Sequence, residues 1–438
     1  MYLQLPTELV KAIPVLDRLL AHGYEAVFVG GAVRDTILGL QVSDVDIATS
    51  ATPHQVMGVF ERVVPTGLQH GTVTVLYKQS SYEVTTYRTE GTYVDSRRPA
   101  SVQFVNRLED DLSRRDFTMN AMALTNEGEV LDPFFGYQHL LAKKLYAVGD
   151  PAQRFEEDAL RMLRAIRFIA CYELQPAPSV WRAITEHGSA IRLIAMERVQ
   201  VELDKLLQAQ KPDRAVGWLL ASRLLLHVKE PLFPDINLPK ANATEDLSAL
   251  ALLHCVDMRW AALLIIMQRT KEQTLASFRA LRFAKKRAQE ISAIVEVHEL
   301  VMDHKKRSPQ HVSQKTWVTI VISMGQAAIA NWLQIAQLLQ QNNQLILEKK
   351  EIKQYNEWFH AMPIYHMKQL DVNGNQLMAH FAKRPGAWIN NLLYYLLQAV
   401  VCHEITNEYN ELLRYAEMWR KEVDVSEQPI RYIQKQSE

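Results

Sequence analysis

Asp44 and Asp46 stand two residues apart in the run VGGAVRDTILGLQVSDVDIATS, residues 29–50. If this stretch is one strand, both carboxylates leave the same face. Paired hard oxygen donors beside a glycine-rich turn suit a divalent cation that carries a nucleotide's phosphates. Gly30 and Gly31, at the end of the preceding apolar run, let the backbone approach a polyphosphate closely. Arg34, one turn into the following segment, offers a guanidinium to phosphate oxygens. Each feature alone also describes a tight turn or a solvated loop, and it is their order and spacing that point to phosphoryl chemistry. Glu83, in YEVTTYR, supplies a third acid on a neighbouring strand. It would complete the metal ligands or hold an attacking hydroxyl, and it reads equally well as a half-exposed strand glutamate.

Arg114, Arg115 and Asp116 precede FTMNA. The functional reading gives Arg115 a triphosphate oxygen, and gives Asp116 with Asn120 a ribose hydroxyl, whose proton an acid or amide oxygen accepts. The same residues would also make a capped helix and nothing more. Further on lies EDALRMLRAIRF, residues 157–168. Asp158 and Arg161 are three apart and share a face of a continuous helix. Such a pair is either a salt bridge on a solvated helix or a rigid edge of donors and acceptor that matches a nucleobase. Arg164 and Arg167 continue the row and would reach phosphate or stack on a base.

These residues need elements to hold them. AVFVGG (26–31) reads as a buried strand ending in a glycine turn, AVRDTILGL as a short helix and DVDIATS as the next strand. TPHQV at Thr52 carries a helix start, with Pro53 at the first helical position. HGTVTVLYKQSSYEVTTYRTE alternates apolar and polar in two runs around QSS, a hairpin. Further strands are expected near 102–105 and 130–132, with DPFFG (132–136) as a turn between domains. After Asp150 the period becomes helical. Apolar-periodic segments recur at 196–208, 215–226, 247–268, 285–303, 317–347, 388–401 and 408–420. The expected class is α+β, a mixed α/β head followed by helices.

The chain has 438 residues, 48% hydrophobic and 22% charged, the composition of a soluble globular protein of two to four domains. No apolar run is long enough to span a membrane, and the N-terminus reads as an amphipathic helix rather than a signal peptide. Three distant cysteines argue for a reducing compartment and against a disulfide framework or a zinc site. Net charge is zero, but residues 1–208 hold 21 Lys+Arg against 26 Asp+Glu, and the remainder 28 against 23. An acidic half and a basic half fit a metal site joined to a phosphate-binding body.

The motifs GGAVRD, DVDIATS, RRDFTMNA, DPFFG, EDALRMLRAIRF and ERVQVELDKLL occur in this order. The series resembles the bacterial class II tRNA nucleotidyltransferases, the CCA-adding enzymes of the polymerase-β-like superfamily. It covers the first half almost continuously and extends more faintly through FRALRFAKKRAQEI to MPIYHMKQLDVNGNQLM, KRPGAWINNLL and ITNEYNELL. The resemblance implies a head at 1–148, a neck at 149–208 that selects the base, a body at 209–310 and a tRNA-binding tail at 311–438. It implies Mg2+ on Asp44 and Asp46, nucleotide contacts from Gly31, Arg34, Arg115, Arg164 and Arg167, and base choice by Asp158 and Arg161. CTP, ATP and the tRNA 3′ end are the implied partners, in the cytoplasm, with the chain a monomer or homodimer.

Relatives adding only CC, only A, or poly(A) share the head motifs and stay open as alternatives. An inactive RNA-binding protein on the same fold is the alternative of a different class. The stretch 89–105, with Arg97-Arg98-Pro99, resembles the flexible loop of full CCA-adding members. A fused HD-type phosphohydrolase needs a His-Asp dipeptide, and none of the 14 histidines is followed by Asp.

Overall fold

In the computed structural model, which describes residues 1–91, 93–94, 98–99, 102–230, 232, 245–307, 312–341 and 347–423, the chain forms two compact units. One is Met1–Leu238 with Ala280–Arg282, and the other is Pro239–Arg279 with Phe283–Glu438.

The first unit begins with helix α1, Thr7–Ala21, which buries Leu9, Ala12, Val15, Leu16 and Leu19 at helical spacing. Strand β1, Ala26–Val29, is buried throughout. It runs into helix α2, Gly31–Ile37, then strand β2, Asp46–Thr49. Helix α3, Pro53–Val59, is held by the expected start signal, a capping box between Thr52 and Gln55. Strands β3 (Val63–Gly67), β4 (Thr72–Tyr77) and β5 (Ser80–Thr86) follow. The β4–β5 turn falls at Lys78 and Gln79, with Lys78 at φ 54°, so Ser80 and Ser81 of QSS already belong to β5.

Short strands β6 (Arg88–Glu90) and β9 (Val102–Phe104) pair with each other, as do β7 (Tyr93–Val94) and β8 (Arg98–Pro99). Arg97, in the stretch resembling a flexible loop, lies outside the described residues. Helix α4 (Leu108–Ser113) leads to strands β10 (Ala123–Leu124) and β11 (Val130–Leu131). The main sheet has the order β11-β10-β1-β2-β5-β4-β3. β2 runs antiparallel to β1 and parallel to β5.

The two sheet faces differ. Phe28, Ile47, Val73, Val75 and Val84 share one face by register, on which α1 and α3 pack. On the other face Val27, Val29 and Ala48 join Tyr87, Leu112, Ala121, Ala123 and Val148 in a small core. Asp46 and Glu83 lie on this second face.

DPFFG caps a helix. The Asp132 carboxylate accepts from the backbone N–H groups of Gly136 (2.8 Å) and Tyr137 (2.9 Å), starting α5, Gly136–Leu141. Strands β12 (Lys144–Leu145) and β13 (Gln175–Pro176) pair in parallel. The expected continuous helix after Asp150 is broken. α6, Pro151–Glu157, stops at Asp158, whose extended backbone (φ −144°, ψ 101°) ends it. α7, Leu160–Cys171, then begins, and the Asp158 carboxylate accepts from the Leu160 N–H at 3.0 Å. An acid that satisfies the first N–H groups of a helix competes with continuing the previous one. α8 (Pro178–His187), α9 (Met196–Gln208) and α10 (Pro212–Ser222) complete the helices of this unit.

The second unit contains α11 (Val256–Ile266), α12 (Lys271–Ala280), α13 (Lys285–Arg307), α14 (Gln314–Met324), α15 (Gln326–Gln341), α16 (Lys349–Ala361), α17 (Gly374–Phe381), α18 (Ala387–Val401) and α19 (Tyr409–Val423). The segment read as 317–347 is two helices meeting at 120°, because Gly325 at φ 83° ends the first. That read as 247–268 is a 3-10 stretch, Glu245–Leu252, followed by α11. Trp317 stacks on Tyr355 with centroids 4.8 Å apart. Lys285, Lys286 and Arg287 begin α13 and Lys305, Lys306 and Arg307 end it; of these, Arg287 turns to Asp257 and Lys305 to buried Glu351. Among the described residues no single helix is long and apolar enough to cross a membrane. The three cysteines are free.

Gly136 couples the capped turn to the segment carrying Asp116 and Asn120. A Cβ there would sit 2.2 Å from the Thr118 carbonyl oxygen. Gly136→Ala is therefore expected to destabilise the chain by about 1–3 kcal/mol, read as a lower urea midpoint; an unchanged midpoint would show that this contact yields freely.

Candidate active site

Gly30 has φ 73° and ψ −134°, a conformation open to glycine and closed to residues with a Cβ. A Cβ here would stand 3.4 Å from Arg115 Nη1 and 3.5 Å from Asp46 Oδ2. The glycine turn thus borders a guanidinium and a carboxylate. Gly31 opens α2 directly beside it, and its missing Cβ would meet Arg34 Nη2 at 3.4 Å. Asp46 is the first residue of β2, opposite Val29 and in register with Glu83 on the parallel strand β5.

Asp44 is not on that strand. β1 ends at Val29, so nothing pairs with the chain before Asp46, and Asp44 stands in an exposed loop with Ser43 Oγ donating to it at 3.2 Å. The expected shared pleat of two aspartates is replaced by a strand acid with a loop acid near it. Burial, then the charge of Glu83, and more weakly Asp44, push the Asp46 carboxyl above its ordinary pKa, while Arg115 pulls it back.

Arg115 is held from below by Asp111, which sequence reasoning passed over. Asp111 is 1% exposed and accepts from Arg114 at 2.7 Å and Arg115 at 3.2 Å. Burial would raise its pKa, but the two guanidiniums outweigh burial and lower it. The signal was present, since Asp111 precedes the two arginines by three and four residues.

Buried Asp116, Asn120 and Arg34 form one chain with half-buried Arg164. Arg164 Nη2 meets Asp116 Oδ2 at 2.6 Å, and Asn120 Nδ2 donates to Asp116 Oδ1 at 3.0 Å. Arg34 Nη1 donates to Asn120 Oδ1 at 2.8 Å. Its Nε and Nη2 grip Asp35 at 2.9 and 3.0 Å, and the guanidinium lies 4.4 Å over the Tyr172 ring. Arg34, expected on phosphate, is turned inward because acid, amide and ring occupy it on all sides. Burial opposes ionisation of Asp116, yet Arg164 beside it and the Asn120 hydrogen bond win, holding its pKa at about 2.

The helix break changes the proposed base edge. Asp158 and Arg161 do not lie one turn apart on a single helix. Asp158 receives Arg198 of α9 in a two-pronged grip, 2.7 and 3.3 Å. Arg161 pairs with Glu157 at 2.5 Å and donates to the carbonyls of Arg154 and Arg114. Arg167 donates to Glu202 of α9 at 2.8 Å and stacks 4.2 Å from the centre of Phe168. Arg198 and Glu202 are i,i+4 on α9, and the quoted run ERVQVELDKLL contains both. Their partners lie 40 and 35 residues away, beyond any local pattern.

A cleft of about 600 Å3 collects Asp46, Glu83, Arg114, Arg115, Asp116, Asp158, Arg161, Arg164 and Arg198. Gly30, Gly31, Arg34, Asp44, Asn120 and Arg167 do not line it. One wall is rich in guanidiniums and suits a polyphosphate. The Asp46–Glu83 edge suits a cation or an attacking hydroxyl.

Residues 26–146 match the "Poly A polymerase head domain", 173–237 the "Probable RNA and SrmB- binding site of polymerase A" and 253–416 the tRNA nucleotidyltransferase domain 2. The CCA-adding enzyme of Bacillus mycoides (strain KBAB4) is 36% identical over 412 residues, 92% of this chain and 96% of that one. This chain belongs to the CCA-adding enzymes. The crystal structure of Bacillus stearothermophilus CCA-adding enzyme in complex with CTP matches at TM-score 0.78 and 30% identity, covering 96% of this chain and 99% of the other. A Thermotoga maritima CCA-adding enzyme complexed with tRNA shares the fold at TM-score 0.64 and 18% identity, over 95% and 99%. CCA-adding enzymes are nucleotidyltransferases, a class that generally uses a divalent metal.

The buried Asp116 makes stability in this CCA-adding enzyme depend on acid pH. Its folded pKa of about 2 lies below an unfolded value of about 4. Its contribution, about 2–3 kcal/mol, is therefore full above pH 4 and lost as pH falls toward 2. Urea melts from pH 7 to 2.5 should show the gap between wild type and Asp116→Asn closing over that window, and a constant gap would contradict the ion-pair account.

Proposed function

We propose that this chain adds C, C and A to the 3′ end of tRNA from CTP and ATP, without a nucleic-acid template and with release of pyrophosphate. The observation that carries the reading is the cleft itself. It joins an acid edge, Asp46 with Glu83 in register, to an arginine wall ending in Asp158 and Arg161. The 36% identity to a CCA-adding enzyme over 92% of the chain selects this reading over CC-adding, A-adding and poly(A)-adding relatives.

The residues fit a divalent metal. The raised pKa of Asp46, from burial and from Glu83 and Asp44, marks a place where negative charge is crowded and a cation would relieve it. Among the described residues no group of three His, Cys, Asp or Glu side chains converges on one point. Mg2+, which takes few protein carboxylates and completes its shell with water and phosphate, suits Asp44 and Asp46. Bound there, it would neutralise triphosphate charge and ease loss of the hydroxyl proton.

The remaining roles belong to the protein. Arg115 and Arg164 face the triphosphate, and Arg34, Asn120 and Asp116 hold Arg164 in place. Glu83 orients the attacking hydroxyl. Arg161 donates and the Asp158 carboxylate accepts, which matches C and A, where a ring-nitrogen acceptor lies beside an amino donor. G and U present an N–H beside a carbonyl there and are mismatched. Arg198 and Glu157 position these two side chains. We assign the head (1–148) to catalysis, the neck (149–208) to base choice, and the body (209–310) and tail (311–438) to tRNA, in a cytoplasmic protein.

Incubation of tRNA lacking CCA with CTP and ATP, separately and together, read at nucleotide resolution, tests the activity; products ending after CC, or extending into a run of A, would select another member of the family. Asp46→Ala should lower addition of both C and A by at least about a thousandfold, with the fold retained. Asp158→Ala and Arg161→Ala should raise misincorporation of G and U by about tenfold or more while the KM for triphosphate changes less. Unchanged selectivity in both variants would remove the base-edge assignment.

A further inference from the structure

One wall of the cleft carries, besides Glu83, residues with no role in the reaction as assigned. Beyond Asp46, on the side opposite Arg115, Arg161 and Arg164, the cleft continues over β5 and β4. There Glu83 and Thr85, and opposite them Thr74 and Thr72, alternate with buried Val84, Val73 and Val75. The polar set therefore shares the open face. Thr72 and Thr85 are direct register partners with Oγ1 atoms 3.0 Å apart, and both line the same cleft as Asp46. Thr85 follows Glu83 by two residues, about 7 Å along the strand. The turn before Thr72 is set by Gly71, at φ 78°, where a Cβ would meet Phe104 Cε1 at 2.8 Å. At the rim the Arg88 guanidinium donates to the His70 carbonyl and fixes that corner.

Threonine is an ordinary strand residue, so type alone says nothing. Placement and charge say more. A triphosphate is drawn to the guanidiniums of Arg115, Arg161 and Arg164. The Thr72–Thr85 wall presents neutral hydroxyls beside an acid, its one guanidinium, Arg88, being turned to the His70 carbonyl, and this is poorer for a triphosphate than the Arg115–Arg164 side and good for a sugar. When one threonine O–H donates to the other, the pair keeps one O–H donor and spare lone pairs. A ribose 2′-hydroxyl, donor and acceptor at once, complements that set.

We propose that Thr72 and Thr85 form the subsite for the terminal ribose of the RNA being extended, hydrogen-bonding its 2′-hydroxyl and so aiming the neighbouring 3′-hydroxyl at Asp46 and Glu83. The inference rests on the nucleotide-transfer reading above. It makes the two threonines positioning residues that bind primer, not nucleotide, and lets the enzyme sense RNA at the reacting end.

The test uses the full chain and tRNA lacking CCA, with either a ribose or a 2′-deoxyribose at its last nucleotide. Loss of one or two hydrogen bonds predicts that Thr72→Val with Thr85→Val raises the KM for ribose-ended tRNA about tenfold. The KM for CTP stays put, and the wild-type preference for the ribose end disappears. Thr72→Ser with Thr85→Ser, which keeps both hydroxyls, restores the preference. An unchanged tRNA KM, an equal rise in the CTP KM, or a preference surviving in the valine variant overturns the subsite. If the valine variant does not fold, wild-type indifference to the 2′-hydroxyl overturns it as well, and a preference kept by wild type and the serine variant supports it. Wild-type failure to extend tRNA would instead sink the transfer reading, and the subsite with it.

Discussion

The ion pair between buried Asp116 and half-buried Arg164 is the contact on which the cleft depends. A charge taken out of water is held only if its geometry is good and its remaining lone pairs are used. Here Asn120 and the backbone N–H of Phe117 take the second carboxylate oxygen, and Asn120 passes the constraint on to Arg34. The pair ties α7 to the segment before β10, and Arg161 adds a second tie by donating to the Arg114 carbonyl. Three stretches of chain remote in sequence thereby share one polar network.

The same arrangement answers a second difficulty, the crowding of like charge. Arg34, Arg164 and Arg167 all approach the Phe168 ring, at 5.5, 5.3 and 4.2 Å. Each has its own acid: Asp35, Asp116 and Glu202. Arg115 leans on Asp111 and Arg161 on Glu157. Cations can therefore be packed closely around one ring without mutual repulsion dominating. The arginine wall of the cleft is built of guanidiniums already aimed by neighbours, so little ordering is left for a ligand there to impose.

What was legible in the sequence was what is decided locally. The strand before Gly30, the helix start at Thr52, the β4–β5 hairpin and the helix Met196–Gln208 each follow from a short pattern, and the structure has them. The break at Asp158 was hidden because apolar residues continue at helical spacing across it, while the carboxylate that ends one helix serves the next. Asp44 was misplaced because strand extent depends on a partner, and β1 stops at Val29. Arginines were recognised as a group but not by direction. Whether Arg34 faces phosphate or protein is decided by Asn120, 86 residues away, and Arg198 entered the site through a contact across 40 residues.

The parallel pairing of β2 with β5 bears on how the molecule is made. Adjacent parallel strands cannot close through a tight turn; here α3, β3 and β4 must be laid down between them. Asp46 and Glu83 therefore meet only after the β4–β5 hairpin exists and docks, a non-local step that folds slowly. During synthesis the two acids leave the ribosome well apart. A nascent chain lacks the crowded charge of the finished protein, and gains it in a single docking event.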